Sequence, residues 1–190
     1  MVSLKRIGIF GGTFDPPHLA HLIIAEHARE QLKLDKVIFI PARIPPHKIG
    51  RRTTKAEDRM WMTELAVVGN PFFSVSDIEV SRQGVSYTLD TLKALKTIYP
   101  KSQFYLLLGS DNYASFHTWH KPNVIRQLSS IAVYRRGDAV GRVAGVTLLQ
   151  GPLIDLSSSL IRRRVRKGLS IRYMVPASVE AYIRLHRLYR

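Results

Sequence analysis

The sequence predicts an α/β fold: a doubly wound parallel sheet with helices on both faces and a small helical segment toward its C-terminal end. Three observations carry this prediction. Short apolar runs alternate along the chain with longer stretches that repeat every three to four residues, the pattern of strands joined by crossover helices. The clearest runs, Lys5–Phe10 (KRIGIF) and Gln103–Leu108 (QFYLLL), both stop at glycine, Gly11–Gly12 and Gly109. The chain has 190 residues, 45% hydrophobic and 23% charged, which suits one self-sufficient core, so residues 1–190 are expected to form a single domain with its C-terminal helical part at about 157–190.

The elements follow in order. Lys5–Phe10 reads as a buried strand closed by a tight turn. Leu19–Leu34 reads as a helix, because Ala20, Ile24, Ala28 and Leu32 recur four apart opposite a charged side. Lys36–Pro41 (KVIFIP) is a second strand, followed by a basic, Pro-containing loop over Ala42–Thr54. Lys55–Val68 is helical with Thr54 as a cap and Trp61 in the core, Phe73–Val80 alternates like a strand, and Thr88–Tyr99 is helical up to Pro100. After Gln103–Leu108 come strands at Ile131–Tyr134 and Val146–Leu149. Helices at Ser159–Lys167 and Pro176–Arg187 finish the chain, the last with proline near its first turn.

Composition narrows function. With no cysteine, disulfide scaffolds, thiolate zinc sites, Fe–S clusters and cysteine nucleophiles are excluded. No charge-free stretch approaches the roughly 18 apolar residues of a membrane span, and the run Ile7–Phe10 is shorter than a signal-peptide core of about 7–15 residues. A cytoplasmic protein with no membrane partner is the expectation. Lys and Arg total 29 against 14 Asp and Glu, a net charge of +15 that concentrates anions: nucleic acids, acidic lipids or phosphorylated small molecules. Charge does not choose among them.

In a doubly wound sheet, ligands sit beyond the carboxyl ends of strands, so the residues after Phe10, Ile40 and Leu108 are the first candidates. The first strand runs into GGTFDPPHLAH, residues 11–21. Its glycines let backbone N–H groups approach a ligand, and the helix start that follows favours anions. His18 and His21, three apart, share one helix face. Two imidazoles beside clustered donors suit a polyphosphate whose charge grows in a transition state; one histidine capping the helix while the other packs is the structural alternative. Zinc is disfavoured because no third ligand stands nearby. A second cluster, Leu156-Ser157-Ser158-Ser159-Leu160-Ile161-Arg162, places hydroxyls at a helix start with a cation one turn in, either an anion cradle or a capped helix.

GGTFDPPHLAH resembles the G-G-x-F-D-P-x-H-x-G-H signature of the nucleotidyltransferase superfamily, with Ala20 where the pattern has Gly, and Leu156–Arg162 resembles its I-S-S-T-x-I-R motif, with Ser159 for Thr. The resemblance implies a Rossmann-like sheet and transfer of a nucleotidyl group from a nucleoside triphosphate to a phosphorylated acceptor. It places Gly11, Gly12, Thr13, Phe14, Ser157, Ser158 and Ser159 at ATP and gives His18, His21 and Arg162 catalytic charge on the triphosphate.

Further segments are similar to one branch, the bacterial nicotinate-nucleotide adenylyltransferases: Pro45-Pro46-His47-Lys48, Ser86–Leu92 (SYTLDTL), Gly109-Ser110-Asp111, Thr118-Trp119, Ser170–Pro176 (SIRYMVP), Tyr182-Ile183 and Leu188-Tyr189. That likeness implies ATP and nicotinate mononucleotide as substrates and deamido-NAD and pyrophosphate as products, with Mg²⁺ carried by ATP and no protein-held metal. Lys48 would reach a phosphate, Thr88 would hydrogen-bond the acceptor's ring substituent, and Trp119 would stack on its pyridinium ring. Asp111 would hold ribose hydroxyls or a helix start. His120 departs from the branch's usual Tyr.

Competing readings are a pantetheine-phosphate adenylyltransferase, an enzyme preferring nicotinamide mononucleotide, and a basic nucleic-acid-binding module. The run Arg162–Lys167 would serve the last, but its residues point several ways on a helix and no aromatic platform accompanies it, so no nucleic-acid partner is expected. Oligomeric state is left open, a homodimer among the options.

Overall fold

The computed structural model describes residues 4–46, 50, 53–135 and 144–190. Six parallel strands form one sheet in the order β3-β2-β1-β4-β5-β6: β1 (Lys5–Gly12), β2 (Lys36–Pro41), β3 (Phe73–Val75), β4 (Ser102–Gly109), β5 (Ser130–Tyr134) and β6 (Val146–Leu149). β1 pairs with β2 on one side, Ile9 opposite Ile38, and with β4 on the other, Ile9 opposite Leu106. The strand order therefore reverses between β1 and β4, which opens a crevice at their carboxyl ends.

Among the described residues seven α-helices accompany the sheet: α1 (Leu19–Gln31), α2 (Ala56–Val67), α3 (Thr88–Ile98), α4 (Ser110–Ala114), α5 (Pro122–Leu128), α6 (Ser158–Arg166) and α7 (Ala177–Leu185). Two apolar layers coat the sheet faces. Ile24, Ala25 and Ala28 of α1 meet Phe10, Phe39 and Leu107 on one side. Leu89, Leu92 and Leu95 of α3 meet Ile7, Ile38 and Leu106 on the other. Successive residues of each strand thus feed opposite layers, as the pleat requires. A third cluster, with Met62 and Ala66 of α2 against Ile161, Ile171, Val179 and Ile183, attaches the C-terminal helices.

Several boundaries differ from expectation. α1 stops at Gln31 rather than Leu34, because Lys33 takes a left-handed φ of 50°. β3 is three residues long, not eight; after Val75 the chain leaves the sheet edge. Thr54 does not cap α2: Lys55 is the N-cap residue with no side-chain bond, and the Thr54 carbonyl instead accepts from Arg59 Nε at 3.0 Å. Trp61 is not in the core. It is 58% exposed, since α2 turns Arg59, Met62, Thr63 and Ala66 inward and about 100° per residue carries position 61 to the outside. The short α4 and α5 went unpredicted, as helices of under about two turns show no apolar stripe.

Candidate active site

A cleft of about 290 Å³ opens where the strand order reverses. Gly11 and Gly12 at the end of β1, Thr13 after it, Ala42 and Pro45 after β2, and Leu108 of β4 line it, together with Ser86, Tyr87, Thr88 and Thr91. Thr118, Trp119 and His120 line it too, with the His120 ring 5.1 Å from that of Tyr87, centroid to centroid. Three strand ends that the fold class singled out thus meet Thr88 and Trp119 in one cavity.

The turn after β1 has definite steric needs. A Cβ on Gly12 would come within 2.9 Å of the Phe14 ring, whereas one on Gly11 would meet nothing within 4 Å. Gly12 is required by the protein's own packing, and the space beside Gly11 is open toward the cleft. Phe14 itself is buried and holds a φ of 49°.

His18 and His21 open α1 as a stacked pair, ring centroids 3.7 Å apart. His18 is buried; its backbone N–H donates to His21 Nδ1 at 3.1 Å. A ring nitrogen that accepts carries no proton, so the proton of His21 lies on Nε2, its outward donor end. The rings of Phe10 and Phe14, with centroids 5.9 and 5.0 Å from that of His21, hold the imidazole edge-on. Ala20 is fully buried behind this pair.

The serine cluster divides its work. Ser157 is the α6 N-cap, accepting from the Leu160 N–H at 3.2 Å. The Ser158 hydroxyl donates to the Pro16 carbonyl at 2.8 Å, and Ser159 Oγ accepts from Arg162 Nη2 at 3.2 Å. Arg162 Nη1 donates to the Asp15 carbonyl at 2.7 Å. The helix is capped as the structural alternative had it, and the capped helix sets Arg162 against the turn that precedes the histidines.

Among the remaining candidates, Trp119 is half-buried, tilted on Phe116 with centroids 5.4 Å apart, and contributes to both the core and the cleft wall. Asp111 lies exposed in the first turn of α4; its neighbour Asn112 reaches the cleft. Lys48, with His47, lies outside the described residues.

Two buried charges were not anticipated. Arg59 is fully buried and donates to three carbonyls, Thr54 through Nε at 3.0 Å, Thr13 through Nη1 at 2.7 Å and Arg43 through Nη2 at 3.0 Å. One guanidinium thereby ties the turns after β1 and β2 and the entry to α2; burial pulls its pKa down while Asp15 opposes that. Glu79 is buried at the cleft, where its carboxylate accepts from the Thr91 hydroxyl at 2.6 Å; burial pushes its pKa up and hydroxyl donors hold it down. Only the direct neighbourhood reveals either. Arg59→Met is expected to lower the unfolding free energy by about 3 kcal/mol or more, because three buried carbonyls lose their donor. Urea titration of both proteins checks this, and a loss below about 1 kcal/mol would mean that the turns find other donors.

Fold and site together have the form of a nucleotidyltransferase: a parallel sheet with a glycine turn, a histidine pair and an arginine at its switch point. The cytidylyltransferase-like family model matches residues 9–164. The chain belongs to that family and, within it, to the nicotinate-nucleotide adenylyltransferases. It is 44% identical over 190 residues to the probable nicotinate-nucleotide adenylyltransferase of Salinibacter ruber, covering 97% of each chain. With that of Thermomicrobium roseum it shares 46% identity, over 98% of this chain and 92% of the relative. The structure of Plasmodium falciparum nicotinic acid mononucleotide adenylyltransferase complexed with NaAD superposes with a TM-score of 0.83 over 97% of each chain at 22% identity, a match of fold.

Proposed function

We propose that this enzyme transfers the adenylyl group of ATP to nicotinate mononucleotide, releasing pyrophosphate and forming deamido-NAD. The observation that carries the reading is the joining of two subsites at one switch point: a cleft walled by Thr88 and Trp119, and beside it the His18–His21 and Arg162 cluster, with the Gly11–Asp15 turn belonging to both. The names of the curated relatives support the same assignment.

The acceptor phosphate, with a second pKa near 6, is mostly dianionic at pH 7 and attacks the α-phosphorus without a general base. The new P–O bond forms as the bond to the β-phosphoryl oxygen breaks, and pyrophosphate carries the charge away. Catalysis is then positioning and charge stabilisation. His21 donates from Nε2 and Arg162 supplies a fixed cation, while Gly11, Gly12 and Thr13 line the nucleotide's path. Mg²⁺ is assigned to the nucleotide, as the triphosphate offers the hard oxygen ligands this ion prefers. Bound to ATP it neutralises phosphate charge.

We read the chain as a single unit, a reading supported by the packing of Met62 with Ile161 and Val179 of the C-terminal helices. No helix among the described residues is long and apolar enough to cross a membrane, and the cytoplasm is the compartment we assign. The deciding experiment incubates the protein with Mg-ATP and a panel of phosphorylated acceptors and follows pyrophosphate release. Turnover with nicotinate mononucleotide above all others is expected; preference for phosphopantetheine would replace the reading.

Trp119→Ala is expected to weaken mononucleotide binding by up to about thirtyfold and to leave ATP affinity nearly unchanged, since a cation–π stack contributes roughly 0.5–2 kcal/mol. Calorimetric titration of each substrate separates the roles of this half-buried ring. If both affinities fall together, the Phe116 contact is what matters and the ring does not stack on substrate.

A further inference from the structure

We infer that Tyr189 is a positioning residue for the transfer reaction: by holding the Asp15 carboxylate it keeps Arg162 oriented and available to the triphosphate. The inference rests on the reading of Arg162 as a triphosphate ligand. Asp15 is buried, and each of its oxygens has a partner. Oδ1 accepts from the Tyr189 hydroxyl at 2.8 Å, and Oδ2 accepts from the Thr54 N–H at 3.4 Å. Arg162 Nη1 stands 4.0 Å from Oδ2, the outer limit of an ion pair, and makes its short bond to the Asp15 backbone carbonyl instead.

This arrangement answers a physical problem. A buried carboxylate next to the cation that must bind an anionic substrate competes with that substrate for it. Two donors from other parts of the chain, Tyr189 and Thr54, occupy the carboxylate and hold it back from the guanidinium. Arg162 is meanwhile fixed at two points, by the Asp15 carbonyl and by Ser159 Oγ. With its side chain one-quarter exposed, it keeps donors for a ligand. Burial and the charge of Asp15 push the Tyr189 pKa far up, so the phenol remains a donor throughout the working range of pH. Loss of that hydroxyl frees Oδ1, and the carboxylate can close on Arg162 as a direct pair.

Tyr189→Phe removes the hydroxyl and retains the ring that packs near Met62. Steady-state kinetics with Mg-ATP and nicotinate mononucleotide should show kcat/KM for ATP about tenfold lower and KM for the mononucleotide within twofold of the parent. A packing role would move thermal stability and leave that split absent. A double-mutant cycle sharpens the test. Introduced into Arg162→Ala or Asp15→Asn, Tyr189→Phe should change kcat/KM by less than twofold, because the cation or the competing charge is already gone. An unchanged kcat/KM in the single variant, or the same loss in all three backgrounds, overturns the inference whatever the melting temperature does. The parent protein's own acceptor panel is the separate control on the proposed function. If the parent prefers another phosphorylated acceptor, that function is wrong and the cycle is read with that acceptor.

Discussion

His21→Ala should lower kcat by roughly 10² or more while KM for ATP changes much less. Removing one preorganised donor aimed at developing charge costs about this much in comparable sites. The effect belongs in kcat because the contact strengthens as negative charge moves onto the leaving pyrophosphate; a contact equal in ground and transition states would appear in KM alone. The geometry makes His21 suited to this. Its Nδ1 is committed to the His18 N–H, so Nε2 carries the proton, and the Phe10, Phe14 and His18 rings fix the plane from which it donates. Nothing need reorganise during the reaction. Pre-steady-state pyrophosphate release by wild type and variant, with circular dichroism to check the fold, decides the matter. An unchanged kcat in folded protein would leave His21 only its capping bond to α1.

The second large effect concerns the acceptor. kcat/KM for nicotinate mononucleotide is expected to exceed that for the nicotinamide form by at least about 10². The two differ in one group: a carboxylate only accepts hydrogen bonds, while an amide must also place its NH₂ donors. Thr88 opens α3 at the cleft wall, and the first N–H groups of a helix have no partners within it and favour negative charge. A carboxylate satisfies such donors, whereas an amide nitrogen turned toward them leaves buried groups unpaired, the mismatch that discriminates strongly. Glu79 sharpens the expectation. An ionised carboxylate in the same cleft would favour the amide, but burial disfavours its charge and the Thr91 hydroxyl engages it. Competition between the two mononucleotides in one vessel measures the ratio directly. Near-equal incorporation would mean an enzyme of dual specificity.

Much of this was legible in the sequence, for identifiable reasons. The strand interiors Ile7–Phe10, Val37–Pro41 and Phe104–Leu108 are buried on both faces, so they read as short apolar runs. In such a sheet a crevice opens where strands end at the switch point, and Gly11–Thr13 and Leu108 do line the cleft there. His18 and His21 were visible because their spacing is a helical one at a helix start. Less legible were features with no period. The edge strand β3 is short and half-buried, α4 and α5 are too brief to show a stripe, and Trp61 carries no mark of which way its helix is turned.

What the sequence alone determined, then, is the parallel α/β sheet, the position of the two motifs and the family whose pattern they share, because these depend on local periodicity and on residues close together in the chain. What only the tertiary structure decided is how those motifs are held. Arg59 looks like any surface cation of a helix until three carbonyls from turns 5 to 46 residues away surround it. Asp15 is only one letter of the GGTFDPPHLAH motif until Tyr189, 174 residues on, is found donating to it. A buried charge is tolerated only where donors or acceptors from several segments converge on it. That convergence is a property of long-range packing, and no local pattern in a chain records it.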